Sequence, residues 1–260
     1  MKFLSLFSGI GGLDLGLERA GWECMGQVEI DPFASAVLAK HWPDVRRWSD
    51  VREITASDVV GSVGRPDAIV GGFPCQPWSV AGKQRGADDP RHLWPEMARI
   101  VEEVRPTYVF AENVQLAAFE EPWRDLRRLG YRVPPALCVA AADVGAPHLR
   151  KRWWLLAADA DSAGATRLSS GAEAEVARVG NGSQKATDAD SAGLERHGEN
   201  SLRTGETHAT PSSSCWWQTE PPVGRVVDGL AHRVDRLRAL GNGQVPMAAA
   251  TAWQHLIQQI

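Results

Sequence analysis

The stretch FLSLFSGIGG, Phe3 to Gly12, decides how the fold is read. Phe3 to Phe7 is a short apolar run that stops at Ser8-Gly9. Beyond the glycines, Leu13, Leu17 and Ala20 recur at helical spacing, and Gly21 follows as a stop signal. A strand that turns through glycines into a helix lets the backbone approach a ligand and leaves the first helix amides facing it. Met25 to Val28 is the next apolar run, ended by Glu29-Ile30-Asp31. An acidic residue at that strand end, 18 residues after Gly11, can accept hydrogen bonds from ribose hydroxyls. The layout is that of a nucleoside-cofactor site, although a tight turn followed by a surface Glu would look the same. The spacing is G-x-G-G rather than G-x-G-x-x-G, which disfavours a nicotinamide or flavin cofactor.

Working outward, strand and helix patterns alternate as far as about residue 157. Phe33 to Trp42 has helical character and is stopped by Pro43. Ala68 to Val70 is a third apolar run, ending in Gly71-Gly72. Leu93, Met97, Ile100, Val101 and Val104 predict a helix that ends before Pro106. Tyr108 to Ala111 reads as a strand leading into Glu112-Asn113, Trp123 to Leu129 as a short basic helix closed by Gly130, and Trp153 to Ala157 as a last strand. Such alternation predicts an α/β fold, a doubly wound and mostly parallel sheet with helices on both faces. Ligands of such sheets sit beyond the carboxyl ends of the strands, where the unusual residues of this chain cluster.

From about Ala158 to Ser214 the texture changes to Ser, Thr, Gly, Ala, Asn and Asp, with few large apolar residues. The hexapeptide DADSAG at Asp159 recurs at Asp188, and two copies do not make a solenoid. The composition predicts an irregular module. Order returns at Cys215-Trp216-Trp217, and a final helix is expected from Met247 to Ile257. The expected organisation is a catalytic and cofactor-binding domain over 1–157, a variable region over 158–222, and a segment over 223–260 that returns to the first domain.

Composition sets outer bounds. The chain has 260 residues, 43% hydrophobic and 23% charged, values ordinary for a soluble globular protein. It contains no apolar run of the roughly 18 residues that a membrane span needs. The N-terminus does not have the pattern of a signal peptide, and a cytoplasmic location is expected. Cys24, Cys75, Cys138 and Cys215 are far apart, with no CxxC pair, so neither a zinc site nor a disulfide framework is expected and no metal is predicted. The net charge of −4 excludes a uniformly basic coat but leaves room for a local basic groove.

Three further pieces carry chemistry. Gly71-Gly72-Phe73-Pro74-Cys75-Gln76-Pro77-Trp78-Ser79 puts a cysteine just after a strand and between two prolines, a rigid setting that suits a nucleophile. Cys24 and Cys138 lie inside apolar runs and read as packing residues. Ala111-Glu112-Asn113-Val114 puts a carboxyl at a strand end. If the sheet brings it beside Cys75 and partly desolvates it, it can act as an acid near neutral pH. In His148-Leu149-Arg150-Lys151-Arg152, an extended backbone would put His148, Arg150 and Arg152 on one side, where two guanidinium forks suit an oxyanion, a base carbonyl or phosphates. A charged strand edge is the plainer reading. Leu240-Gly241-Asn242-Gly243-Gln244-Val245-Pro246 reads as an ordinary turn into the last helix.

Taken together and in this order, these pieces resemble the DNA (cytosine-5)-methyltransferase family over Met1 to about Leu156 and again from about Gly224 to Ile260. GGFPCQPWSVAGKQRGADDPRHLW followed by FAENV is the strongest part. The resemblance implies an S-adenosylmethionine-dependent methyltransferase fold, Rossmann-like, with a small target-recognition region. It implies transfer of a methyl group to C5 of cytosine in double-stranded DNA, through a covalent bond between cysteine and C6 of a base flipped out of the duplex, with S-adenosylhomocysteine as product. Carried over position by position, Phe7, Gly9, Gly11 and Gly12 form the first cofactor motif, Glu29 holds the ribose and Ile30 lies beside the adenine. Asp50 stands near the adenine amino group, and Asn242 returns to the cofactor. Cys75 is the nucleophile, Glu112 the acid facing N3, and Arg150 and Arg152 the paired arginines, with Arg152 on the O2 carbonyl. Gln76 to His92 is the expected mobile loop, with Gln76, Ser79, Lys83 and Arg91 as its DNA contacts.

This chain departs from the family pattern in four places. His148 stands where Gln is usual, Gly243-Gln244 where a small residue and Val are commoner, no clear match to the motif preceding the last one is present, with Arg233, Arg236 and Arg238 as candidates for its structural place, and the variable region is short. The expected molecule is a monomer with no obligatory protein partner, and a cognate restriction endonuclease could accompany it. The same chemistry on tRNA, and a catalytically silent DNA-binding relative, are the rival readings.

Overall fold

The computed structural model describes residues 1–74, 92–160 and 233–260, all within one compact unit. The chain begins with strand β1 (Lys2–Leu6), helix α1 (Gly12–Arg19) and strand β2 (Glu23–Val28). Helix α2 (Pro32–His41) starts where Pro32 fixes the first turn and Asp31 caps it, its side chain accepting from the Phe33 and Ala34 amides at 2.9 and 3.0 Å. Then come β3 (Arg46–Trp48), α3 (Ala56–Val63), β4 (Ala68–Gly71), α4 (Trp94–Val104), β5 (Tyr108–Asn113), α5 (Glu120–Arg128), β6 (Tyr131–Arg132), β7 (Leu137–Ala140) and β8 (Lys151–Asp159). The C-terminal part supplies α6 (Arg233–Asn242) and α7 (Pro246–Ile257). None of the helices among the described residues is long and apolar enough to cross a membrane.

The strands run in the order β3-β2-β1-β4-β5-β8-β6, with β7 also paired to β8. The pairings from β3 to β5 are all parallel, whereas β8 lies antiparallel to β5, β6 and β7. The direction of winding reverses between β1 and β4. The turns after these two strands therefore diverge and open a crevice.

Two cores flank the sheet, and strand alternation assigns residues to them. In β5, Tyr108 and Phe110 join the core beneath α1 and α7, while Val109 and Ala111 join the opposite core beneath α3, α4 and α5. In β8, Trp154, Leu156 and Ala158 face the first core and Leu155 and Ala157 the second. The predicted helical spacing of α4 is realised as a buried stripe of Trp94, Met97, Ile100, Val101 and Val104. Helix α7 returns the C-terminal segment to the N-terminal layer. Its Trp253 packs edge-on against Trp22, Tyr108 and Phe110, with ring centroids 4.5, 5.5 and 5.6 Å apart.

The structure adds to and corrects the predicted elements. β3, α3, β6, β7 and α6 were not expected. The predicted last strand extends to Lys151–Asp159 and is antiparallel to its neighbours, so β5 is the last parallel strand among the described residues. Of the expected variable region 158–222, everything from residue 161 lies outside the described residues.

Candidate active site

A cleft of about 460 Å³ opens at the carboxyl ends of β1, β2, β4 and β5. One half is built by the turns after β1 and β2. Phe7 and Gly9 both take positive φ, +55° and +56°, which folds the turn back over the strand end. The Glu29 carboxylate is fixed by two backbone amides, with Oε2 accepting from Gly9 N and Oε1 from Asp31 N, both at 2.7 Å. Each oxygen keeps a further lone pair for a hydroxyl donor. Ile30 lines the cleft with 62% of its surface exposed, an apolar face that a planar ring would cover. Across from it, Arg52 grips Asp50 with Nε 2.9 Å from Oδ1 and Nη2 2.5 Å from Oδ2. That hydrogen-bonded pair holds the Asp50 carboxyl below the usual range. Asn242 also lines the cleft. A fixed acceptor pair, an exposed apolar residue and a second carboxylate are the set that a nucleoside cofactor needs, so these residues fit one.

Phe7, Gly9, Glu29, Ile30, Asp50 and Asn242, all expected at the cofactor site, line this one cleft. Gly11 and Gly12 do not line the cleft. A Cβ on Gly11 would lie 2.4 Å from the Trp42 ring, and one on Gly12 would lie 2.3 Å from the Gln244 carbonyl oxygen. Both permit close packing behind the turn.

The other half of the cleft is built by the ends of β4 and β5. Gly72, Phe73 and Pro74 line it, and Asn113 Nδ2 donates to the Phe73 carbonyl at 3.1 Å, tying this turn to β5. Cys75, the next residue, lies outside the described residues, as do Gln76, Ser79, Lys83 and Arg91 and the rest of the expected loop up to residue 91. Glu112 is only 6% exposed. Burial pushes its carboxyl pKa up, against the hydrogen bond from Gln244 and the charges of Arg152 and Arg150. Arg152 Nε stands 3.0 Å from Oε1 as an ion pair, but without hydrogen-bond alignment, so Oε1 is buried with no hydrogen-bond partner. A buried polar atom in this condition is costly unless a ligand satisfies it.

The two arginines hold different partners in the free protein. Arg150 has φ +31°, which breaks the extended backbone just before β8. Its guanidinium turns to the carbonyls of Gly241, at 2.7 Å, and Gly243. It is absent from the cleft lining, which Arg152 joins. His148 is exposed and precedes the strand. Cys24 is buried, its thiol pKa pushed far up by burial, as suits a packing residue. Cys138 is half-buried on β7.

Sequence reasoning missed Gln244. Its Nε2 donates to Glu112 Oε2 at 3.0 Å and it lines the cleft. The available signal was a polar amide where the resemblance leads to an apolar residue. Arg238 of α6, one of the three arginines expected to stand in for the missing family motif, pairs with Asp31, the cap of α2, and lines the same cleft.

Strand order and cleft together define the S-adenosylmethionine-dependent methyltransferase fold. The chain belongs to the C-5 cytosine-specific DNA methylase family, which matches it over residues 1–219. It is 43% identical over 115 residues to the Type II methyltransferase M.HgiCII of Herpetosiphon aurantiacus, covering 44% of this chain and 26% of that protein. To the Type II methyltransferase M.FnuDI of Fusobacterium nucleatum it is 39% identical over 160 residues, covering 58% and 45%. The chain therefore spans between a quarter and a half of the length of these relatives. Among solved structures, it is similar to a protein described as a DNA modification methyltransferase encoded within an E. coli prophage. That match has a TM-score of 0.53 and 31% identity, covering 61% of this chain and 47% of the other. The Dnmt2 methyltransferase of S. pombe shares the fold at TM-score 0.52 and 24% identity, covering 67% of this chain and 57% of the other.

Proposed function

We propose that this protein transfers a methyl group from S-adenosylmethionine to C5 of cytosine in double-stranded DNA, with Cys75 as nucleophile. The observation that carries the reading is Glu112. A nearly buried carboxyl, with one oxygen lacking a hydrogen bond, shares a cleft with the nucleoside-type half built by Glu29, Ile30 and Asp50. Pro74, which immediately precedes Cys75, lines the same cleft. S-adenosylmethionine supplies a methyl group on a positively charged sulfur.

C5 of cytosine is a poor nucleophile. Addition of the Cys75 thiolate to C6 turns the C5–C6 double bond into a single bond, moves its electron pair to C4–C5 and that of C4–N3 to N3, and so leaves an enamine with electron density on C5. That addition requires the ring to accept charge. A Glu112 carboxyl whose pKa burial has raised can present a proton to N3. Arg152 faces the charge that develops on O2. In the free protein these two side chains hold each other. An entering base would exchange that pair for one contact to each of its edges. After methylation, a water molecule takes the C5 proton, its electron pair re-forms the C5–C6 double bond and expels the Cys75 thiolate, and N3 returns its proton to Glu112. Ring faces are stacked inside a duplex, so the base must be extruded to be reached from both edges.

Transfer of labelled methyl groups to duplex DNA and to tRNA tests the reading. Duplex DNA is the expected acceptor. Glu112→Gln is expected to lower the rate by roughly 10²–10⁴-fold while S-adenosylmethionine binding, measured by calorimetry, persists. Methylation of tRNA alone, or full activity in the variant, would remove the reading.

A further inference from the structure

The turn between α6 and α7 does more than complete the cleft. Gln244 donates from Nε2 to Glu112 Oε2 at 3.0 Å, a bond between residues 132 positions apart. Space for it exists only because position 72 lacks a side chain. A Cβ on Gly72 would stand 2.5 Å from Glu112 Oε2 and 2.6 Å from Gln244 Nε2. The turn is held from behind as well. Arg150 binds the carbonyls of Gly241 and Gly243, and the Gln244 backbone closes over Gly12. An amide nitrogen donor so fixed can satisfy only one of the two carboxyl oxygens. Oε1 is left beside Arg152 without a hydrogen bond.

We infer that Gln244 is a positioning residue for Glu112: it fixes Oε2 as an acceptor, so that Oε1 is the oxygen that carries the proton toward the base. Arg150, through the same turn, positions Gln244 and is not a substrate ligand. The inference rests on the reading of Glu112 as the ring's proton donor and assigns the atom that does it. It also explains a local departure, since a valine at this position would leave Oε2 without its donor. The groups that face Glu112 are Gln244, Arg152 and Arg150. The two arginines are common to all the variants below, so a change in titration between variants reports on position 244.

The test is a carboxyl-carbon NMR titration of the full chain labelled in its glutamates, with the Glu112 signal identified by its loss in Glu112→Gln. Removing a donor from the ionised carboxyl in Gln244→Leu is expected to raise the Glu112 midpoint by about one pH unit. Gln244→Glu keeps the side-chain size but puts a second carboxyl beside the first. Two coupled steps are expected, one of them above the native midpoint. Should Gln244→Leu fail to fold, Gln244→Glu decides alone. A midpoint within error of native in the folded variants would overturn the inference. The titration needs neither DNA nor turnover. Failure of the native protein to methylate DNA would therefore remove the proposed function separately from the titration result.

Discussion

Asp14 is wholly buried on α1. It accepts from Ser5 Oγ at 2.5 Å and from Gln27 Nε2 at 2.8 Å, and Ser8 Oγ reaches Ser5 Oγ at 2.9 Å. The turn after β1 thus rests on a polar group inside an apolar layer. Burial, offset in part by the two hydrogen bonds, raises the Asp14 pKa to about 6 from an ordinary 3.8. The folded state therefore binds this proton more tightly than the unfolded state. The stabilisation is fully present below about pH 4 and is lost as pH rises through about 6, amounting to about 3 kcal/mol. Urea denaturation across this window should show native stability falling with pH relative to Asp14→Asn, whose curve is flatter. Parallel curves would mean that Asp14 titrates normally. At this scale the sequence was informative where a residue's role depends on its neighbours in the chain. Glu112 is legible because a carboxyl follows directly on an apolar strand. Gln244 is not, because its partner is brought in by tertiary packing. The partners of Arg150 were not legible either, because one positive φ breaks the extended backbone that the period-two rule assumes.

At the level of elements, the cleft depends on α7 coming close to the turn before α1. The Gln244 carbonyl lies 2.3 Å from where a Gly12 Cβ would be, and backbone cannot give way as a flexible side chain can. Gly12→Ala is expected to cost about 1–3 kcal/mol in thermal unfolding and to weaken S-adenosylmethionine binding in the same variant. A variant of native stability and affinity would show that the two segments are free to separate. Elements with a strong internal period were readable, and α4 is the clearest of them. β3 was not, since Arg46-Arg47-Trp48 is a short and mostly polar edge strand without alternation of its own. Helix α3 carried a readable start, with Thr55 and Asp58 forming a capping box, but its small residues gave no apolar stripe long enough to follow. The antiparallel course of β8 could not be read locally, because direction is a property of strand pairing and not of the strand's own residues.

For the molecule as a whole, distant parts of the chain converge on one cleft. Glu29 and Asp50 come from the N-terminal windings, Glu112 and Arg152 from the middle, and Asn242 and Gln244 from the C-terminal segment. Strand order alone puts that convergence between β1 and β4, which is why a sequence reading of successive strand ends could find most of the site. The proposed reaction requires Cys75 to join C6 of an extruded cytosine while Glu112 holds the opposite edge. Duplex DNA carrying 5-fluorocytosine tests it most directly, since fluorine at C5 blocks the proton loss that would release the enzyme. With S-adenosylmethionine present, the native chain should form a complex that survives denaturation, with the nucleotide attached to the peptide containing Cys75 and no complex in Cys75→Ala. A native chain that methylates cytosine without forming the adduct, or an adduct on any other residue, would contradict it.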